Sequence, residues 1–412
     1  MGMGALARHV SYDAGRAVPK LHHDNREKVM TGCEHSKHTA MRLGAFLMPS
    51  HPPQRSIRDG QRWDLEELER LDELGFEEAW IGEHFTAAWE PCPAPDLLIA
   101  QALLRTQHIR LGPLGHLLPY HHPIELAHRA AYLDHLAEGR YQLGVGISAL
   151  PSDHQIFSIE TRGGRNRRMT FEALELMTRL WTHGAHRFRG EFWSLGEPQD
   201  TFPGLGYHLD PFQRPHPPIA IAALTPGSEN HKLVGEKGYI PVSLSISPDP
   251  AILARHWDAV LEGAARSGLE PDRGEWRIIR DTYVASTDVE ARSLAAGGIM
   301  GRCWREFLLP LYLGLGLGPL LKRDPSMPDE AVDLEYLADN LWFVGSPATV
   351  ANRILDVYRR IGGFGYLLVV SYDAADEREP WERSMRLLVD EVLPSCKAAL
   401  EEHDAAASGG CL

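Results

Sequence analysis

The clearest candidate for chemistry in this 412-residue sequence is a histidine that follows an apolar run. Residues 79–82 have the size and composition of a buried strand, and Glu83, His84 and Phe85 come directly after them. A histidine at the end of a strand can donate or accept a proton near neutral pH. A histidine satisfied by a neighbouring backbone group is the alternative interpretation of the same position. His84 is therefore a candidate catalytic residue, and its position alone leaves both interpretations open.

Two helix starts further along the chain carry residues suited to holding a phosphate. They supply arginines in one case and small polar residues in the other: Arg165, Arg167 and Arg168, then Thr225, Gly227 and Ser228. The free N–H groups and dipole of a helix N-terminus attract an anion, and a nearby arginine adds charge-assisted hydrogen bonds. Arginines at a helix start can also be merely solvated. The pattern alone leaves both interpretations open, and an apolar pocket mouth beside these residues would favour a phosphate-binding site.

The histidines and cysteines do not indicate a metal site. His121 and His122 are adjacent, so their side chains point to opposite sides if the chain is extended there. The five cysteines are odd in number, widely spaced and without metal-ligand spacing: Cys33, Cys92, Cys303, Cys396 and Cys411. We predict no metal site and reduced thiols.

The elements that must position these residues follow a repeating strand and helix pattern. Residues 109–112 read as a strand, Pro123 opens an amphipathic helix that ends before Gly139, and residues 141–147 read as the next strand. A strand, a helix and a strand in forty residues form a crossover unit of a parallel sheet. The loops after parallel strands are where ligands bind.

Eight such strands can be placed along the chain, which predicts an α/β protein with a (β/α)8 TIM barrel fold. They are residues 43–47, 79–82, 109–112, 141–147, 219–223, 242–246, 278–285 and 366–370. Residues 182–216 and 297–333 read as insertions. We predict a disordered N-terminal extension over residues 1–40, the barrel domain over 41–395 and a flexible C-terminal tail over 396–412.

Composition limits the partners. The formal net charge is -14, from 42 basic and 56 acidic residues, which argues against nucleic acid or an anionic membrane as the main partner. The sequence has no apolar run of membrane-spanning length and no signal peptide with a hydrophobic middle. We expect a cytoplasmic protein.

Seven short motifs together carry a family resemblance. They are IGEHF (81–85), AAWE (87–90), IRLGPLGHLLPYHHP (109–123), LDHLAEGRYQLGVG (133–146), ALPSD (149–153), GSPATVANRI (345–354) and GGFGYLL (362–368). In this combination the chain, over about residues 41–395, resembles the bacterial-luciferase-like flavin-dependent monooxygenases. Within that family it is most similar to limonene monooxygenase-type members.

The resemblance implies an FMNH2-dependent monooxygenase of a two-component system. A separate NAD(P)H-dependent flavin reductase would supply FMNH2, which reacts with O2 to give a flavin C4a-(hydro)peroxide that oxygenates a small or medium apolar substrate. A terpenoid or another biosynthetic intermediate is the expected class, and a homodimer the expected assembly. The alternatives are an F420-dependent oxidoreductase of the same superfamily and a non-catalytic flavin-binding protein.

The resemblance also implies roles for single residues. His84 matches the active-site histidine, and Leu114 with Gly115 falls where relatives have a non-prolyl cis peptide against the isoalloxazine ring. Arg167 matches a phosphate-binding arginine. The second phosphate loop corresponds to Thr225, Gly227 and Ser228. Ile147 departs from the pattern, because bacterial luciferase has an arginine at its place.

Overall fold

The computed structural model describes residues 41–199 and 202–409, so the expected N-terminal extension, residues 1–40, lies outside the described residues. The strands are β1 (Arg42–Leu47), β2 (Glu78–Ile81), β3 (Arg110–Pro113), β4 (His116–Leu117), β5 (Leu143–Gly146), β6 (Phe188–Arg189), β7 (Ser194–Leu195), β8 (Ile219–Ala223), β9 (Ile240–Leu244), β10 (Arg277–Arg280), β11 (Thr282–Val284), β12 (Phe343–Gly345) and β13 (Tyr366–Ser371).

The helices follow the strands around the outside. They are α1 (Ile57–Glu73), α2 (Pro95–Ala102), α3 (Pro123–Leu136), α4 (Pro151–Ile156), α5 (Arg165–His183), α6 (Glu229–Lys237), α7 (Pro250–Ser267), α8 (Asp288–Gly297), α9 (Ile299–Cys303), α10 (Leu309–Gly314), α11 (Gly318–Leu321), α12 (Leu334–Asn340), α13 (Pro347–Ile361), α14 (Arg378–Leu387) and α15 (Leu393–Gly409). None of the described helices is both long and apolar enough to cross a membrane.

The main sheet is a closed parallel barrel. Its strand order is β3-β2-β1-β13-β10-β9-β8-β5-β4. The two ends of this order, β3 and β4, are halves of one strand position, and Leu111 of β3 also bridges Tyr141 beside β5. The circle therefore closes with eight strand positions, which confirms the predicted (β/α)8 fold.

Successive side chains of each strand point alternately into the barrel and toward the helices, which produces two apolar layers. The barrel interior is filled by a compact group of side chains: Phe46, Trp80, Leu114, Ala220, Ile240, Val242, Ile279, Tyr366 and Leu368. Their neighbours in sequence, such as Ala79 and Ile81, face the helices instead. The interior is thus packed with side chains, and ligands have to bind at the ends of the strands.

A buried ion pair closes the barrel at the N-terminal ends of its strands. Glu78 begins β2 and Arg277 begins β10, and the two side chains meet through two contacts of 3.1 Å. Both side chains are fully buried. Tyr366, which begins β13, lies under the Arg277 guanidinium at 4.0 Å. This polar plug leaves the opposite, C-terminal ends of the strands for chemistry.

The structure differs from the sequence predictions in three places. The strand expected over 278–285 is two strands, because the chain turns at Asp281, whose buried carboxylate accepts a hydrogen bond from the Trp304 indole at 3.0 Å. The segment between the strand predicted over 141–147 and the helix start at Arg165 contains a helix that was not predicted, α4. The C-terminal segment predicted as a flexible tail from residue 396 continues α15 to Gly409, and it buries Cys396 and Leu400 against the barrel domain.

Candidate active site

His84 lies at the C-terminal end of β2 with a carboxylate beside each ring nitrogen. Its Nδ1 atom is 3.4 Å from Asp153 Oδ2, and its Nε2 atom is 3.5 Å from Glu90 Oε2. The side chain is 15% exposed, so it is largely buried but still reaches the surface of the site. The imidazole is thus held from both sides at the rim where barrel chemistry takes place.

Asp153 reaches His84 because a short helix follows β5. Pro151 starts α4, and Asp153 lies in its first turn with the carboxylate fully buried. That carboxylate accepts hydrogen bonds from the Thr86 hydroxyl and from the Phe85 backbone N–H. Burial alone would raise the pKa of Asp153, but its hydrogen bonds with His84 and Thr86 outweigh burial and lower the pKa. Asp153 therefore stays ionised at neutral pH.

The ionisation of His84 reflects its carboxylate neighbours. Burial alone would lower the pKa of His84, but the Asp153 hydrogen bond and the charges of Glu90, Asp153 and Glu83 more than compensate and raise it. Burial raises the pKa of Glu90, and the charge of His84 offsets only part of that rise. The surrounding carboxylates therefore favour the protonated form of His84.

Glu83, which precedes His84 in the chain, belongs to a second network of carboxylates and histidines. Its carboxylate contacts His116 Nδ1 and His121 Nε2, each at 2.7 Å, and the other nitrogen of His116 is 2.5 Å from Asp96 Oδ1. Burial disfavours a charged His116, but the flanking carboxylates raise the pKa of His116 to about 9. This network ties the ends of β2 and β4 to α2.

The same network bears on the question of a metal ion. Ligand atoms of Glu83, His116 and His121 lie within 4.8 Å of one another, a spacing that could surround a cation. A histidine must be neutral to bind a metal, whereas the two carboxylates favour a protonated His116. The arrangement is that of an ion-pair network, and the absence of a metal site stays a prediction.

The peptide bond between Leu114 and Gly115 is cis, at the position that the family resemblance implies. It separates β3 from β4, and the Leu114 side chain packs inside the barrel. A side chain at Gly115 has no space, because a Cβ there would lie 2.6 Å from the Val145 carbonyl carbon of β5. Glycine is therefore required for β4 to approach β5.

The predicted phosphate residues lie at two helix starts that follow neighbouring strands, β5 and β8. Arg167 is in the first turn of α5, and its Nε atom is buried without a hydrogen-bond partner in the described part of the chain. Ser228 caps α6, its hydroxyl accepting from the Asn230 N–H at 3.2 Å, while Thr225 and Gly227 are exposed. The described contacts do not join Arg167 to Ser228 directly.

These four groups of residues follow successive positions around the barrel, namely β2, the split strand β3 and β4, then β5, then β8. The sequence that forms this arrangement also matches a known protein family. The sequence profile of the family described as luciferase-like monooxygenase matches residues 41–363. The chain belongs to the luciferase-like monooxygenase family. The resemblance seen in the motifs is thereby confirmed.

Relatives of this luciferase-like monooxygenase cover nearly all of its barrel. 2,5-Diketocamphane 1,2-monooxygenase 2 of Pseudomonas putida is 35% identical over 366 residues, 87% of this chain and 100% of the relative. Limonene 1,2-monooxygenase of Rhodococcus erythropolis is 30% identical over 355 residues, 85% of this chain and 86% of the relative. Both relatives are monooxygenases by name.

A solved structure of a relative contains FMN. The oxygenating constituent of 3,6-diketocamphane monooxygenase from Pseudomonas putida, a type II Baeyer–Villiger monooxygenase in complex with FMN, is 33% identical to this chain. The TM-score is 0.80, and the match covers 86% of this chain and 98% of that one. This luciferase-like monooxygenase is accordingly a flavin-dependent oxygenase, which confirms the prediction of an enzyme.

Aromatic side chains form one wall beside the candidate site of this luciferase-like monooxygenase. Phe85 meets Phe157 edge-on with ring centroids 4.6 Å apart, and Phe157 stacks on Tyr120 at 4.3 Å. The Tyr120 hydroxyl is hydrogen bonded to Ser148 Oγ at 2.8 Å and lies 2.9 Å from His154 Nδ1. Tyr120 and Phe157 therefore extend the apolar surface that begins at Phe85 into one aromatic cluster.

The first insertion of this luciferase-like monooxygenase is anchored to the barrel. Its hairpin, β6 and β7, is held by the Glu172 carboxylate, which accepts hydrogen bonds from the backbone N–H groups of Glu191, Phe192 and Trp193 at 2.7–2.9 Å. The Arg165 guanidinium lies over the Phe192 ring at 4.7 Å. This part of the insertion is thus a fixed neighbour of the α5 start, where Arg167 lies.

Two acidic residues beside His84 in this luciferase-like monooxygenase stand in the sequence motifs, but the motifs alone gave neither of them a role. Asp153 stands in ALPSD and Glu90 in AAWE, and both carboxylates reach His84 only in the fold. The signal for Asp153 was Pro151, since a proline two residues earlier marks a helix start that would turn the carboxylate toward the site. For Glu90 the sequence holds no comparable signal, because the burial of the loop around Trp89 becomes visible only in the fold.

Proposed function

We propose that this chain is the FMNH2-dependent oxygenase component of a two-component system, acting through a flavin C4a-(hydro)peroxide. A separate NAD(P)H-dependent flavin reductase supplies the reduced flavin, and O2 is the co-substrate. The observation that carries the proposal is the 33% identity with an FMN complex over 86% of the chain. That relative is described as an oxygenating constituent, a term that implies a separate reducing component.

The residues at the C-terminal rim fit the proposed cofactor. The buried Nε atom of Arg167 has a hydrogen to donate and no acceptor among the described residues, which suits a phosphate oxygen. The start of α6 at Thr225, Gly227 and Ser228 supplies backbone N–H groups and the positive end of a helix dipole. Leu114 and Gly115 would support the ring system from the barrel interior.

Bound reduced flavin would supply the two electrons needed to activate O2, so that one oxygen atom enters the substrate and the other leaves as water. The chain's own residues would control protons and water around this reaction. His84 holds a proton at the rim, and the wall of Phe85, Tyr120 and Phe157 excludes water from one side. A dry pocket limits wasteful release of hydrogen peroxide.

The proposed substrate is a small or medium apolar molecule of terpenoid type. The names of the relatives, diketocamphane and limonene monooxygenases, point to compact cyclic hydrocarbons and ketones. In this chain the aromatic wall offers apolar area for such a ring, while Phe157 remains 37% exposed and available for contact.

Rapid mixing of the protein and photoreduced FMN with oxygenated buffer tests the proposal. A transient with the absorbance of a flavin C4a-(hydro)peroxide, decaying faster with an apolar ketone, is the expected result. Reoxidation of the flavin at its rate in free solution would contradict it. In that case a titration with reduced F420 distinguishes the alternative, since an F420-dependent oxidoreductase transfers hydride and does not use O2.

We also propose a homodimer, as the resemblance implies. Large apolar side chains are exposed on α2 and α3 and at their ends: Leu97, Leu104, Tyr132 and Leu136. Sedimentation velocity should give a dimer for the wild type and a monomer for Leu104→Glu, whose site is 87% exposed. Leu269→Glu, at an exposed leucine elsewhere, serves as the control and should remain dimeric.

A further inference from the structure

Glu90 is a buried carboxylate beside the imidazole of His84. The residue is only 3% exposed, and within the described residues its carboxylate has His84 as its ion-pair partner, at 3.5 Å. Its position is fixed by the backbone, because the Glu90 N–H donates to Ala87 O at 3.1 Å and the His51 N–H donates to Trp89 O at 2.8 Å. An ionised carboxylate in such a place requires a compensating positive charge.

The loop that carries Glu90 folds back onto His84. The backbone N–H of His84 donates to Cys92 O at 3.0 Å, which closes the segment between them into a compact loop. Glu90 thereby faces Nε2 of the imidazole while Asp153, from α4, faces Nδ1. The two ring nitrogens of His84 therefore meet acidic groups that come from different elements of the fold.

The surroundings of the pair are predominantly acidic. Asp153 from α4, Glu90 from its own loop and Glu83 at the preceding position all face His84, and each favours a protonated imidazole. On the far side of Glu90, its negative charge also raises the pKa values of Cys303 and Tyr312 in the second insertion. Neither of these groups supplies a cation to balance Glu90, so that His84 is the group that does.

We propose that Glu90 is a positioning residue for His84, holding Nε2 so that the two side chains share one proton at the rim of the barrel. The proton lies either on the imidazole, facing a carboxylate, or on the carboxyl, facing a neutral imidazole. Asp153 holds the opposite nitrogen in both cases and stays ionised. The role of this pair in oxygenation rests on the proposed function, whereas the shared proton itself is a property of the protein alone.

The direct test is a titration of the flavin-free protein with isotopically labelled histidine, followed by nuclear magnetic resonance. The His84 signal is assigned by its loss in His84→Gln. Removing the neighbouring charge in Glu90→Gln should lower the pKa of His84 by about one unit or more, the size expected for a charge at this distance. Glu335→Gln, at an exposed glutamate of α12, is the control and should leave the pKa unchanged.

A second variant guards against misfolding. Glu90→Asp keeps the charge but shortens the side chain, so the pKa of His84 should fall between those of the wild type and Glu90→Gln. An unchanged His84 pKa in either folded variant overturns the proposal. The outcome is independent of turnover: a lowered pKa in a protein that makes no oxygenated product would retain the pair and reject the proposed function. In active enzyme, Glu90→Gln should shift the pH profile of product formation in the same direction.

Discussion

His84 and Asp153 meet at 3.4 Å although 69 positions separate them in the chain. The contact joins the loop after β2 to the helix after β5, across the split strand that contains the cis peptide bond. Fixing both loops to each other holds the imidazole in one orientation at the rim. This fixed orientation is what the proposed role of His84 in proton transfer requires.

Replacing His84 with alanine should uncouple oxygen use from product formation. We expect His84→Ala to retain flavin binding while the ratio of product to hydrogen peroxide falls at least about tenfold, since a general acid or base contributes roughly 10²–10⁴-fold. The ratio is measured with excess reduced flavin and an apolar ketone. His183→Ala, at an exposed histidine, should preserve the ratio. Equal ratios for both variants would remove His84 from the mechanism.

Replacing Arg167 with alanine should weaken binding of reduced FMN by about 1.5–3 kcal/mol, the range for a charge-assisted hydrogen bond. Anaerobic titration monitored by flavin fluorescence gives the dissociation constant. Arg168→Ala is a closely matched control, because Arg168 is exposed and pairs with Glu191 at 3.2 Å. A dissociation constant that is the same in Arg167→Ala and the wild type would place the phosphate elsewhere.

Two buried histidines, one on α6 and one on α7, should make the stability of the fold decrease in acid. Burial lowers the pKa of His231 to about 3 and that of His256 to about 4, and the rings lie 5.1 Å apart. In the unfolded chain both titrate near 6.5, so their stabilising effect is complete above that pH and is lost as the pH falls toward 4 and 3. The cost is about 2 kcal/mol per histidine between pH 6.5 and 5.

Urea unfolding at pH 7.5 and 5.0 measures this sensitivity. The double variant His231→Gln, His256→Gln should lose less free energy of unfolding between the two pH values than the wild type. His51 and His116, whose pKa values are raised to about 9, act in the opposite direction. Their contribution is complete below about pH 6.5 and is lost as the pH rises toward 9, so it changes between pH 7.5 and 6.5 but equally in both proteins, and it cancels in the comparison. Identical pH dependence in both proteins would refute the assignment.

Removing one partner of the Glu78–Arg277 ion pair should destabilise the fold. Arg277→Met leaves the buried Glu78 with only the part-exposed Arg110, at 3.3 Å, as an ionic partner, and we expect the free energy of unfolding to fall by about 3–5 kcal/mol. Arg360→Met removes an exposed arginine that pairs with Asp356 on α13, and it should change the same quantity by less than about 0.5 kcal/mol. Similar losses in the two variants would show that the plug carries little stability.

The barrel could be predicted from the sequence because its strands are short apolar runs separated by capped helices. Proline at the start of α3 and glycine after it, at Gly139, are local signals that survive in the fold. The split at Asp281 could not be read in this way, since it depends on Trp304 and Tyr372, which are distant in sequence. The helical C-terminus was missed because its burial depends on packing against the barrel domain.

The site was predicted less completely than the fold. His84 stands out as a histidine after a strand, and the family motifs point to the cis peptide at Leu114. The carboxylates of Asp153 and Glu90 do not stand out, because acidic residues in loops are usually solvated. Their importance comes from burial beside the imidazole, which is a property of tertiary structure.

The Glu78–Arg277 pair blocks the barrel at the N-terminal ends of its strands. With that end sealed, cofactor, oxygen and organic substrate have to share the opposite rim as both entrance and exit. Because side chains fill the interior, molecules that bind at this rim have to arrive and depart from the same side, so their access routes overlap.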